Sequence, residues 1–199
     1  MRFYELISIV LHPLGIPTLC VLTYFTFISN NSTENSQVST LGLVFMLTYV
    51  IPLLLLIVLK RTGHVKNLQF PTIKERRLSV FLMIALFYIL AKGLVKSSET
   101  RALGILFYGA SLSLITVYLL FSIRIKSSLH LLSMGNTVGF FLVFNLTRNP
   151  VLLPMIVILL FLSGLLASAR LRLGAHTPIE LLVGFLLGFT SQLVVSSAL

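Results

Sequence analysis

Acidic residues are nearly missing from this sequence: five Asp and Glu stand among 199 residues. So few carboxylates cannot build the cluster that a two-metal mechanism requires. Cysteine is scarcer still. Cys20 is the only one, which excludes an internal disulfide and any zinc-ligand spacing. Charge of either sign is thin, at 10% of residues, where a soluble domain carries roughly 25%. Internal repeats of 20–50 residues and low-complexity tails are absent as well. What fills the space is apolar: 57% of residues are hydrophobic and the mean hydropathy is +1.03. A chain of this kind belongs in lipid.

Runs such as "LGLVFMLTYVIPLLLLIVL" are long enough to cross a bilayer core, which takes about 20 apolar residues. They occupy nearly the whole sequence, so residues 1–199 read as a single integral-membrane domain with no separate water-soluble part. Candidate spans lie at about 3–29, 41–60, 78–96, 104–123, 129–146, 151–169 and 178–198. All are expected to be helices, because backbone groups in hydrocarbon must be satisfied within their own segment. The fold expected is all-α, a polytopic transmembrane helical bundle of about six to seven spans. Pro13 and Pro17 predict that the first span is kinked or starts late. With no small-residue cleavage site behind it, that span reads as retained. The segments "NNSTENSQVS", "KRTGHVKNLQFPTIKERR", "KSSETRA" and "TRNP" read as connections. His12, next to Pro13, reads as a span break. Asn136 and Asn145 read as hydrogen-bonding a neighbouring helix, and Lys92 as a snorkelling side chain.

The formal net charge is +10. In a soluble protein that would suggest nucleic acid, but these bases sit in short connections, where lipid headgroups and topology account for them. No nucleic-acid partner is expected. Counting spans puts Arg2, Lys60, Arg61, Lys66, Lys74, Arg76, Arg77, Arg124, Lys126, Arg170 and Arg172 on one membrane face. Only Lys96, Arg101 and Arg148 fall on the other. The positive-inside rule explains this asymmetry and predicts a cytoplasmic basic face. A shared site for an anionic group explains it too, and also covers the histidines and the glutamate found at span ends among the bases.

Those residues concentrate in "ARLRLGAHTPIE", residues 169–180. One reading is structural: Thr177 as helix N-cap, Pro178 in the first turn and Glu180 closing a capping box. The other is chemical. Glu180 stands four residues after His176, so a helical turn brings its carboxylate to the imidazole. It would then fix the ring's tautomer and strengthen the other nitrogen as a nucleophile. Arg170 offers a planar fork suited to phosphate oxygens. In "RIKSSLH", residues 124–130, Lys126 and His130 lie one helical turn apart, Ser128 adds a hydroxyl, and a helix start would present free N–H groups to an anion. A capping serine and a lone interfacial histidine would produce the same pattern. Together, two imidazoles, a carboxylate and several bases on one face suit phosphoryl transfer through a phosphohistidine. One imidazole attacks phosphorus, the bases neutralise its oxygens, and the other imidazole protonates the leaving alkoxide. That chemistry needs no metal and no other cofactor.

"ARLRLGAHTPIELLVGFLLG" resembles the third motif of the type-2 phosphatidic acid phosphatase superfamily, S-R-x-x-x-x-x-H-x-x-x-D. "SSLH" is similar to its second motif, P-S-G-H. The whole chain resembles a group of compact bacterial membrane proteins of that superfamily. The resemblance implies that Arg170 binds phosphate, His176 is the nucleophile, Glu180 orients it, His130 is the general acid and Ser128 a phosphate ligand. Ala169, Glu180, Ser127 and Leu129 depart from the motif residues Ser, Asp, Pro and Gly. The first motif, K-x-x-x-x-x-x-R-P, is missing; its phosphate-binding role would fall on Lys126, Arg124, Arg76 or Arg77, with no motif to choose among them. The partners implied are the bilayer and a lipid bearing a phosphate or diphosphate: a polyprenyl diphosphate such as undecaprenyl diphosphate, phosphatidate, phosphatidylglycerophosphate or a lipid A phosphate. The location implied is the bacterial inner membrane, where many relatives of this kind work on the outer face. A non-catalytic binder or transporter of anionic lipid that keeps the fold is the alternative from another class.

Overall fold

The computed structural model describes residues 2–28, 33–61, 73–147 and 152–198, with backbone alone at 73–75. The elements in chain order are α1 (Arg2–Val10), α2 (Ile16–Phe27), α3 (Glu34–Arg61), α4 (Ile73–Leu94), α5 (Arg101–Leu120), α6 (Leu129–Thr147), α7 (Leu153–Arg172) and α8 (Pro178–Ala198). No strand occurs among the described residues. Six helices, α3 to α8, are long and apolar enough to cross a membrane. Their outer faces carry exposed Phe81, Ile89, Val157, Phe161, Leu186 and Val194. Water would not tolerate so much contiguous apolar surface, and lipid does. The chain is a multi-pass membrane protein.

Two stretches differ from the sequence reading. The expected first span is two helices, broken at residues 11–15. Pro13 cannot continue a helix and pushes His12 out of helical geometry. The chain turns instead, with the His12 carbonyl accepting N–H bonds from Gly15 at 2.9 Å and Ile16 at 3.1 Å. Neither piece is among the six spanning helices. The second stretch is 34–39, read as loop and found helical. Thr33 caps that helix by accepting the Ser36 N–H at 3.4 Å, and Glu34 stands in its first turn, where a carboxylate favours the helix dipole. The helix simply continues past the apolar run. Further along α3, Pro52 lacks the N–H that would bond Thr48, and the turn before it widens into a π-helix over Met46–Val50.

Helix packing follows small residues. Between membrane helices there is little hydrophobic drive, so close backbone approach decides which pairs associate. α6 carries Gly135 and Gly139, and α8 carries Gly184 and Gly188, each pair one turn apart. A Cβ at Gly188 would run into the Leu132 carbonyl oxygen, and one at Gly135 into the Phe185 carbonyl oxygen. Two bare backbones therefore cross in direct contact. A buried polar chain adds direction: Asn136 Nδ2 donates to Ser113 Oγ on α5 at 2.9 Å, and Gln192 Nε2 on α8 donates to Asn136 Oδ1 at 2.9 Å. Asn145 accepts the Leu152 N–H at 3.2 Å and so holds the start of α7. Both asparagines reach neighbouring elements, as their sequence context suggests.

At one end of the bundle a compact cluster unites Ile16, Leu131, Met134, Leu166 and Leu181, all buried. Leu131 follows His130, Leu181 follows Glu180, and Leu166 lies one turn before Arg170. The same packing that joins α2, α6, α7 and α8 thus sets the positions of their polar neighbours. At the opposite end, Ser36 Oγ donates to Glu99 Oε2 at 2.9 Å, tying the start of α3 to the α4–α5 turn.

Candidate functional site

α7 ends and α8 begins around a glycine. Gly174 has φ +62°, a left-handed conformation that suits glycine as a helix stop. The Gly174 N–H bonds the Leu171 carbonyl at 3.0 Å and the Ala175 N–H the Arg170 carbonyl at 3.1 Å. The chain then returns, with Thr177 and Pro178 starting α8. Glu180 N–H donates to Thr177 Oγ1 and Thr177 N–H to Glu180 Oε2, each at 3.3 Å. This is the capping box. The same Oε2 lies 2.7 Å from His176 Nδ1, so one oxygen makes both the capping bond and the contact with the imidazole. The His176 side chain is 3% exposed, and no described residue hydrogen-bonds its Nε2. Burial is the largest influence on its pKa and lowers it below the ordinary 6.5; Glu180 opposes that shift, while Arg170 and Arg76 add to it.

These residues open into a cavity of about 1020 Å³. Its rim holds Arg76 from α4, Lys126 from the α5–α6 turn, His130 from α6, Arg170 from α7, and His176 and Glu180 around the start of α8. Segments distant in sequence therefore converge at one end of the bundle, as span counting implies. The cavity continues inward past Ser133, Asn136 and Thr137 on α6 and past Val80, Met83 and Phe87 on α4. From Arg76 to Phe87 at 1.5 Å per residue is about 16 Å, half the roughly 30 Å hydrocarbon core.

The start of α6 is locked to α8 through its backbone: Ser128 N–H donates to the Glu180 carbonyl at 3.0 Å. That N–H is therefore not available to an anion. Ser128 is fully buried beside Gly184 and does not line the cavity, and its buried hydroxyl has no hydrogen-bond partner among the described residues. Arg77 is directed elsewhere, its Nη2 donating to Ser122 Oγ at 3.2 Å and its guanidinium lying 6.0 Å from the Tyr118 ring centre. Arg124 is exposed, in a left-handed turn after the last residues of α5, and is not on the cavity wall. Of the four bases competing for the missing first motif, the cavity takes Arg76 and Lys126. Lys92 is exposed and off the cavity. His64 and Lys66 lie outside the described residues.

Arg170 is half-buried, its Nη1 donating to Ser8 Oγ at 2.9 Å while its buried Nε has no partner among the described residues. His130 Nε2 is likewise buried without a partner among the described residues. His12, read from sequence as a break alone, also lines the cavity, its ring 5.3 Å from that of His130 and nearly perpendicular to it. The one signal in the sequence that could have raised it is a polar ring placed at a proline break inside an apolar run. Among the described residues no three His, Cys, Asp or Glu side chains are placed to hold a metal ion. No family model, curated protein or solved structure matches the chain.

Proposed function

We propose that this protein is a metal-independent phosphatase or diphosphatase of membrane lipids, working through a phosphohistidine in a bacterial inner membrane. One observation carries the reading: His176, held at Nδ1 by Glu180 across 2.7 Å, shares a cavity with a second imidazole and three bases. A carboxylate on Nδ1 leaves Nε2 as the nucleophilic nitrogen. Nε2 attacks phosphorus in line, the bond from phosphorus to the leaving oxygen breaks, and His130 supplies the proton that the leaving oxygen takes. Water then attacks the phosphohistidine, giving its proton to His130 and releasing phosphate. Arg170, Arg76 and Lys126 neutralise the phosphoryl oxygens throughout, the largest contribution to be expected in phosphoryl transfer. Val80, Met83 and Phe87 on the α4 side of the inner cavity suit the substrate's hydrocarbon tail.

The test is phosphate release by purified protein in detergent and chelator from phosphatidate, phosphatidylglycerophosphate, undecaprenyl diphosphate and a lipid A phosphate. Release that disappears in His176→Ala supports the reading. Equal release by that variant refutes the nucleophile. Wild-type protein that binds these lipids without turnover supports instead the anionic-lipid binder, the reading favoured by Leu129 at the motif's glycine position on the cavity wall.

A further inference from the structure

The N-terminal segment touches this site at several points, and none of them follows from the motifs. Ser8 Oγ accepts from Arg170 Nη1 at 2.9 Å. The backbone of Ser8 lies against the His130 ring. The His12 ring meets that of His130 edge to face at 80°. No described residue hydrogen-bonds His130 Nε2, and Ser8 and His12 bring the N-terminal segment against its ring. His12 is itself fixed. Its carbonyl closes the turn at Gly15 and Ile16, and its Nδ1 accepts the Leu14 N–H at 3.3 Å. A neutral ring that accepts at Nδ1 carries its proton on Nε2. A serine or asparagine would serve the turn equally well; only a ring also reaches His130.

We propose that His12 is a positioning residue of this site, holding the imidazole of His130 in the orientation that delivers its proton to the leaving oxygen. The inference rests on the phosphatase reading and deepens it, since the N-terminal segment then completes a site built mainly from α4, α6, α7 and α8.

His12→Asn keeps an acceptor for the Leu14 N–H and removes the ring. Two probes separate a positioning role from a loosened fold: phosphatidate, whose alkoxide leaving group needs a proton, and a nitrophenyl phosphate bearing an alkyl tail, whose leaving group does not. The variant is expected to lose roughly 10- to 100-fold in kcat on phosphatidate, a part of the roughly 10²- to 10⁴-fold that general-acid catalysis contributes, with KM nearly unchanged. On the nitrophenyl probe it is expected to lose less than about threefold. In a His130→Ala background the same substitution should remove nothing more. His12→Gln is run in parallel, so that poor folding of one variant still leaves a measurement. Unchanged activity on phosphatidate, equal losses on both probes, or a further loss in the His130→Ala background overturns the inference while leaving the phosphatase reading in place. Wild-type protein inactive on both probes overturns the phosphatase reading itself, and the inference with it.

Discussion

The backbone N–H of Ser128 donates to the carbonyl of Glu180 across 3.0 Å. This bond joins the approach to α6 with the first turn of α8, two residues from His130 on one side and at the partner of His176 on the other. It forms because Gly184 has no side chain: a Cβ there would press on the Ser128 backbone oxygen at 2.5 Å. Small residues on α8 thus decide how near the two imidazoles stand.

The glycine crossing should therefore be intolerant where backbones meet and indifferent elsewhere. Gly188→Ala forces a methyl into the Leu132 carbonyl and is expected to cost about 1–3 kcal/mol, read as a lower unfolding temperature in detergent. Gly164→Ala, where nothing lies within 4 Å, should be neutral or stabilising, because alanine favours helix over glycine. Equal effects at both positions would contradict the close crossing.

Two adjacent arginines should behave differently. Arg76 lines the cavity, whereas Arg77 faces Ser122 and Tyr118. Arg76→Gln removes a charged hydrogen-bonding group worth about 1.5–3 kcal/mol, so kcat/KM for a lipid phosphate is expected to fall roughly 10- to 100-fold. Arg77→Gln is expected to change it by less than about fivefold. Steady-state kinetics on the two variants decide.

Glu180→Gln should separate capping from catalysis. The amide can still accept the Thr177 N–H, so the unfolding temperature should hardly move. It cannot stabilise an imidazolium as a carboxylate does, and kcat is expected to drop about 10²- to 10⁴-fold. A variant that unfolds early and retains its kcat per folded molecule would reduce Glu180 to a cap.

The pH profile should carry the signature of His176. Attack needs the neutral ring, and burial holds its pKa below 6.5, so the acid limb of kcat/KM should lie below that pH. Glu180 raises the pKa and Arg76 lowers it. Glu180→Gln should consequently move the limb to lower pH, and Arg76→Gln to higher pH, with one substrate used throughout. Shifts of the reverse sign would remove His176 from the nucleophile's role.

The charge asymmetry predicts a sidedness that fusions can check. A basic face that is cytoplasmic puts the residue after α8 on the outer side, since α8 crosses once from the cavity end. Alkaline phosphatase fused after Leu199 should be active and a fused fluorescent protein dark. The opposite pattern would place the cavity at the outer leaflet.

Much of the site was legible because it is local. Arg170, His176 and Glu180 are joined by a helix end, a glycine turn and a helix start, and spacing alone brings the carboxylate to the ring. Arg76 and Arg77 could not be told apart, since neighbours on a helix point about 100° away from each other and only the packing of α4 says which way is inward. Ser128 matches a motif position but gives its N–H to Glu180 and buries its hydroxyl away from the cavity. His12 was hidden because its partner, His130, stands on α6, far along the chain. At 34–39 a polar composition masked a helix that Thr33 caps and that runs past the apolar segment.

The sequence by itself determined that the chain is helical and embedded, because apolar runs of this length can satisfy their backbone in lipid only within themselves. It also determined that the bases gather at one end, because spans alternate direction. Which of those bases face a common cavity, and that a third imidazole joins them, only the tertiary structure decided. Those outcomes depend on helix rotation and on the approach of glycine-lined backbones, and neither is set by any single segment.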